Sequence, residues 1–403
     1  QGGPWERSGP QPGSPGAMPP RYVPPRPVLR PRRRKRRFSL PICMGLAALL
    51  ISLVAISAVM ESLWPVQLLP SDDGDYSYHQ DYDQEELDTT PPSIPRAATG
   101  AGVTVELRPD TGETLTYTQI YDKNLPSMVS IQAEDAKSYS TGTGVVLTSD
   151  GYIITNAHVV AGADKVQVVC SDNRVLDAAL VGFDANEDLA VLKVEATDLT
   201  PAEFGDSFAL RCGDPVAAIG DPLGYRSTIT DGIVSALDRD VDVDGVSMVL
   251  IQTSAAINMG NSGGALINQY GQVVGITTVK IVTDDGSAEA LGFAIPSRRV
   301  KYVADTLIAG KTVRRGIFGF TVLTRPAQGG GLTLDSVDKA SDAYAQGLRA
   351  GDVLIAANGQ SLNAVEDLVR LKQSLGAGDA VSLTYVRDGQ SYTASVALID
   401  PDD

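Results

Sequence analysis

At 403 residues with 43% hydrophobic content, the chain exceeds one ordinary domain and can bury at least two cores. Its formal net charge of -16 conceals an asymmetry, because residues 1–37 hold ten Lys/Arg against one acid and leave the remainder strongly acidic. An acidic body repels phosphate backbones, which excludes nucleic acid as its partner; two histidines far apart and no C-x-x-C pair exclude a structural zinc site, and no cofactor is expected.

Residues 1–37 are rich in Pro, Gly and Arg and are expected to form a disordered cytoplasmic tail. Residues 38–60 are apolar and uncharged over a length that suits a single transmembrane helix. The arginine run before this segment and the acidic stretch after it orient it by the positive-inside rule, with everything later outside the cytoplasm. Cys43 lacks small residues before it and is unsuited to lipid attachment. Residues 61–112 carry scattered acids and Pro91 to Pro95, and read as an acidic disordered stalk. Cys170 and Cys212 would lie in an oxidising compartment, where one bridge is open to them, but two cysteines make no disulfide framework.

From 113 to 310 the chain turns to short β-rich runs at 128–132, 144–147, 166–169, 190–194, 216–219, 249–252 and 273–279, the spacing of a sandwich or a pair of barrels. Ser149-Asp150-Gly151 supplies a hairpin turn, and the one strong helical stretch, 297–309, closes the unit with Ser297 as its expected N-cap. A second unit, 316–400, places strands near 320–323, 332–337, 353–358 and 381–387 around a helix expected from Asn363, with Asn363 and Glu366 as its capping pair. Arg387-Asp388-Gly389 reads as its last hairpin turn.

The sharpest chemical signal is Gly260-Asn261-Ser262-Gly263-Gly264, where glycines allow the Gly260 and Ser262 amides to converge on an oxyanion while the Ser262 hydroxyl attacks. Its base must be His158, the single histidine after the stalk, at the end of the strand 152–155. A carboxylate to orient that imidazole is expected at Asp188, directly before the apolar strand 189–194; Asp184 and Glu187 are close competitors.

T-N-A-H-V, E-D-L-A-V and G-N-S-G-G, in this order and spacing, resemble the HtrA (DegP-like) family of serine proteases, over a stretch from about Ile120 to the C-terminus. The resemblance implies a mainly β fold: a chymotrypsin-like double β-barrel protease domain followed by a PDZ domain, after the N-terminal transmembrane helix. It implies His158 as general base, Asp188 as its orienter, Ser262 as nucleophile, and Gly260 with Ser262 as oxyanion hole. Ile257, Leu291 and Phe293 would line an apolar substrate pocket. Gly316-Ile317-Phe318-Gly319-Phe320 resembles a PDZ carboxylate-binding loop, so Ile317, Phe318, Gly319 and Phe320 would hold a peptide C-terminus by β-augmentation. A homotrimer acting on misfolded extracytoplasmic proteins is what the family implies. Ser254, Asp221 and Met259 stand where the family usually has Asp, Asn and Pro. A dedicated regulatory protease with one membrane target and a catalytically silent PDZ chaperone are the rival readings.

Overall fold

The computed structural model describes residues 89–100, 102–221, 228–243, 246–258, 260–278, 292–323, 327 and 330–400. The expected cytoplasmic tail, the apolar span 38–60, Met259 and Leu291 lie outside them, and no helix among the described residues is long and apolar enough to cross a membrane.

Among the described residues, twenty strands fall into three groups. Strands β1 (Leu107–Arg108), β2 (Met128–Glu134), β3 (Tyr139–Val146), β4 (Tyr152–Thr155), β5 (Lys165–Val169), β6 (Val175–Asp184), β7 (Leu189–Val194) and β8 (Phe204–Gly205) come first. Six of them close a barrel in the order β2-β3-β4-β7-β6-β5. Strand β7 shows why it closes, since its period of two sends Ala190, Leu192 and Val194 into the barrel and Leu189 and Val191 into the core shared with the next one. Gly151 in the β3–β4 turn has φ +106, and a Cβ there would strike the Val194 carbonyl, so the expected hairpin turn needs glycine at this point.

The second barrel uses β9 (Pro215–Gly220), β10 (Thr228–Val243), β11 (Val246–Thr253), β12 (Ala265–Asn268), β13 (Val273–Thr278) and β14 (Gly292–Pro296), closed by pairing of β13 with β14. Strands β8 and β1 extend it in parallel from β13. Helix α1 (Tyr117–Asn124) precedes the first barrel, and α2 (Ala157–Val160) follows β4. Helix α3 (Ser297–Ile308) closes the unit by burying Val300, Val303, Ala304, Leu307 and Ile308 against both barrels.

The last unit is a sheet in the order β15-β16-β17-β19-β20, from β15 (Phe320–Val322), β16 (Leu332–Val337), β17 (Val353–Ala357), β18 (Gln360–Ser361), β19 (Ala380–Arg387) and β20 (Gln390–Ala397), with β18 paired to β17. Helices α4 (Asp342–Ala345) and α5 (Val365–Lys372) cover its core. Asp388 and Gly389 both have positive φ in the β19–β20 turn, as a two-residue hairpin requires.

Four local expectations need correction. The segment 90–108 is part of the protease unit and not stalk: Ser93 donates to the Ala163 carbonyl at 2.7 Å, Ala97 to the Leu180 carbonyl at 3.0 Å, and Ile94 and Val105 are buried. Helix α1 was not expected at all. Pro296 is the cap residue of α3, while the Ser297 hydroxyl donates to the Gly205 carbonyl at 2.6 Å and accepts from the Ser207 amide at 3.0 Å, so it staples the helix to the end of β8. Helix α5 starts at Val365, and the carboxylate that caps it is Asp367, which accepts from the amides of Asn363 and Ala364 at 2.7 and 3.0 Å.

Candidate active site

Asp188 ends the β6–β7 turn with φ +51, a left-handed backbone that Asp tolerates better than most residues. Its carboxylate is wholly buried and meets His158 Nδ1 at 2.9 Å through Oδ1 and 3.1 Å through Oδ2. Other groups fix it as well, among them the His158 backbone amide, which donates to Oδ1 at 3.2 Å. The Thr278 hydroxyl donates to Oδ2 at 3.0 Å, and the Asn156 side-chain amide donates to the Asp188 backbone carbonyl at 2.9 Å. His158 stands on α2, directly after β4, with its ring half-buried while Ala157, Val159 and Val160 anchor the turn in the core. Among the described residues Nδ1 faces the carboxylate alone, which leaves Nε2 as the nitrogen open to a reacting hydroxyl.

The nucleophile loop is pinned through its carbonyl groups. Thr143, buried on β3, donates its hydroxyl to the Gly260 carbonyl at 2.7 Å and its amide to the Ser262 carbonyl at 2.8 Å. The Thr277 hydroxyl donates to the Asn261 carbonyl at 2.6 Å. A peptide's N–H points opposite to its C=O, so holding the Asn261 carbonyl turns the Ser262 amide the other way. Among the described residues neither the Gly260 nor the Ser262 amide has an acceptor, and the Ser262 hydroxyl has no hydrogen-bond partner. Gly263 permits the close approach to the histidine side, since a Cβ there would strike the Thr143 carbonyl and the Thr155 hydroxyl and come within 3.1 Å of the Asn156 amide. The Ser262–His158 contact is thus open in this state, as such contacts often are before substrate binds.

The competing acids have other roles. Asp184 accepts the Glu187 amide at 2.9 Å, and burial pushes its carboxyl up. Glu187 turns away from the imidazole into an ion pair with Arg299 and Arg315. Ile257 is half-buried against Gly292, and Phe293 lies in the core between the barrels, in register with Thr278. Ser254 holds β10 by accepting the Ile233 amide at 3.0 Å. Cys170 is buried and Cys212 exposed, both as free thiols.

In the last unit β15 is an edge strand, open to an added strand on its outer side. The Ile317 amide is committed to the Ile399 carbonyl at 2.9 Å, so it is not available to a carboxylate. Among the described residues the amides of Phe318 and Gly319 have no acceptor, while Phe318 stacks on Phe320 at 5.2 Å.

A trypsin-like peptidase domain model matches residues 142–276 and a PDZ domain model matches 316–398. A probable periplasmic serine protease do/HhoA-like of Haemophilus influenzae is 39% identical over 64% of this chain and 58% of its own length. A serine protease Do-like HtrA of Lactococcus lactis is 37% identical over 72% of this chain and 77% of its own. The chain belongs to the HtrA family. A solved HtrA-type protease, AlgW with tripeptide, superposes with TM-score 0.55 at 31% identity, covering 72% of this chain and 99% of that one. The chain spans only 58% and 60% of the first two curated HtrA relatives it matches, the Haemophilus protein and a DegP-like protein of Halomonas elongata.

Thr143, Thr277, Thr278 and Asn156 were not anticipated from this HtrA sequence. Thr-Gly-Thr at 141–143, Thr277-Thr278 and Asn156 next to His158 were visible, but their partners lie in the nucleophile loop and the β6–β7 turn, which only the folded barrels bring to them.

Proposed function

We propose that this chain is a serine endopeptidase that cleaves misfolded or exposed extracytoplasmic proteins through an acyl-enzyme. The observation that carries this reading is the buried Asp188 held on His158 Nδ1 at 2.9 Å beside a loop whose carbonyls are tied and whose Gly260 and Ser262 amides are not. In this reading Ser262 Oγ attacks the scissile carbonyl, His158 Nε2 takes its proton and returns it to the leaving amine, and the two amides hold the oxyanion. Water then attacks the ester by the same route in reverse. The half-buried Ile257 against Gly292 favours small aliphatic residues before the scissile bond.

The PDZ unit is proposed to regulate turnover by binding peptide C-termini at β15, the carboxylate meeting the Phe318 and Gly319 amides. Supporting this are the open edge strand and the peptide-bound HtrA-type neighbour. A homotrimer tethered by residues 38–60, with the folded units outside the cytoplasm, completes the proposal; its support is the charge asymmetry around that segment and relatives described as periplasmic.

Active-site labelling with a fluorophosphonate tests the assignment. The wild type should label and degrade casein, and Ser262→Ala should do neither, any residual hydrolysis lying about 10³ to 10⁴ over water. A Ser262→Ala protein that keeps labelling, or a wild type that never labels, would refute it and favour a silent peptide-binding chaperone.

A further inference from the structure

Glu187 directly precedes Asp188 and is 4% exposed, an unusual place for an acid in a short β6–β7 turn. Arg299 grips its carboxylate with two bonds of 2.7 Å, from Nε to Oε2 and from Nη2 to Oε1. Arg315 adds a third of 2.7 Å, Nε to Oε1, and its Nη2 donates to the Asn186 carbonyl in the same turn, also at 2.7 Å.

These two arginines come from different places. Arg299 stands on α3, the helix that closes the protease unit, and its Nη1 reaches the Leu375 carbonyl of the PDZ unit at 3.2 Å. Arg315 lies in the connection between the units, bridged by its backbone to Gly376 and directly before the peptide loop that starts at Gly316. One carboxylate therefore ties the residue before Asp188 to the protease helix and to the root of the PDZ groove. A cavity of about 390 Å³ adjoins the ion pair, walled by Met248, Val249 and Ile295 of the protease unit on one side and Ile317, Val369 and Lys372 of the PDZ unit on the other.

A buried ion pair adds little net stability, because desolvating its charges offsets most of their attraction; what it supplies is a defined geometry. We propose that Glu187 is a positioning residue for Asp188: through Arg299 and Arg315 it fixes the 184–188 turn so that both Asp188 oxygens face His158, and it makes that orientation conditional on how the PDZ unit is seated. This inference rests on the proteolytic reading of the site. Burial alone would raise the Glu187 carboxyl, but the guanidinium bonds and charges of Arg299 and Arg315 hold it below the usual range, so it is ionised while the clamp is closed.

The test uses the full chain with Glu187→Gln and Arg315→Gln. Each should slow fluorophosphonate labelling and lower kcat by a common factor of about 10- to 100-fold, the effect of misplacing a catalytic group by about an ångström. KM should stay within about twofold, since the substrate contacts are untouched. The double variant should be no worse than the more impaired single, because both act on one linkage. The low-field proton resonance of His158 Nδ1 reads the same geometry without catalysis, and it should broaden or move upfield in Glu187→Gln; His79→Gln removes the other histidine of the chain from the spectrum. Wild-type labelling in the variants, an unchanged resonance, losses that multiply in the double variant, or losses that merely track the folded fraction would reduce the clamp to a structural brace. Failure of the wild type to label would count against the proteolytic reading, and the resonance would still decide the positioning role.

Discussion

Replacing the Thr143 hydroxyl with a methyl probes how the nucleophile loop is held. Thr143 is wholly buried, and its Oγ1 donates to the Gly260 carbonyl at 2.7 Å and accepts from the Asp221 amide at 2.8 Å. Valine matches the shape, so Thr143→Val opens no cavity and its cost is confined to the polar groups left behind. Asp221 is half-buried and its amide can turn to water, whereas the Gly260 carbonyl becomes a buried orphan at about 1–3 kcal/mol. At about 2–4 °C per kcal/mol for a unit of this size, the melting temperature should fall by about 2–12 °C. The catalytic effect should be larger: the Gly260 carbonyl belongs to the peptide between the two oxyanion amides, whose own N–H, that of Asn261, donates to the Asn258 carbonyl at 3.0 Å, so loosening this peptide displaces the donors on either side of it, one such donor being worth about 10²–10³ in kcat. The assay is turnover of a fluorogenic peptide well below either melting temperature, with Thr143→Ser, which keeps the hydroxyl, as the control close to wild type. A Thr143→Val protein that melts early yet keeps kcat within about threefold of wild type would refute the link between pinned carbonyls and presented amides.

Two further outcomes follow from the groove and from the buried carboxylates. Peptides with a free apolar C-terminus should bind the protein and change its cleavage rate, and amidation should weaken both effects together, because the Phe318 and Gly319 amides lose their anionic partner; titration against turnover checks this, and binding with flat turnover would leave the PDZ unit a tether. Glu187 has a lowered folded pKa, so its stabilisation is complete above the ordinary glutamate value and is lost as pH falls through the depressed one. Asp184 has a raised pKa, and its protonation relieves strain earlier in the same descent. Melting curves from about pH 7 to about pH 3 should therefore show the gap between wild type and Glu187→Gln closing only at the acid end, and a gap constant with pH would contradict the ion pair.

The strands were legible in the sequence because their pattern is local: period-two runs such as 190–194 announce two-sided burial without knowledge of partners. The glycines of 260–264 and the lone histidine after the stalk were legible for a similar reason, since few other arrangements make use of them. Helix α1 escaped because its face buries Ile120 and Asn124 and offers no apolar stripe, although Thr116 and Gln119 do form its capping box and were there to be read. Segment 90–108 was mistaken for stalk because it is held by backbone hydrogen bonds to β6 and α3 more than by its own apolar residues. Glu187 was weighed as the orienting acid from its position alone. Only the approach of Arg299 and Arg315, more than a hundred residues later, separates its role from that of Asp188.

The left-handed backbone at Asp188 narrows what sequence drift can do at this position. Most replacements there would strain the turn and be cleared as unfolded protein, but asparagine accepts the same conformation and the same volume. It would keep the contact to His158 while removing the charge. A descendant that gave up hydrolysis but kept both barrels and the peptide groove would pass most easily through asparagine, one base change from aspartate in the genetic code. Loss of catalysis and retention of binding are in that sense neighbouring states of this lineage, separated by a step its backbone already allows.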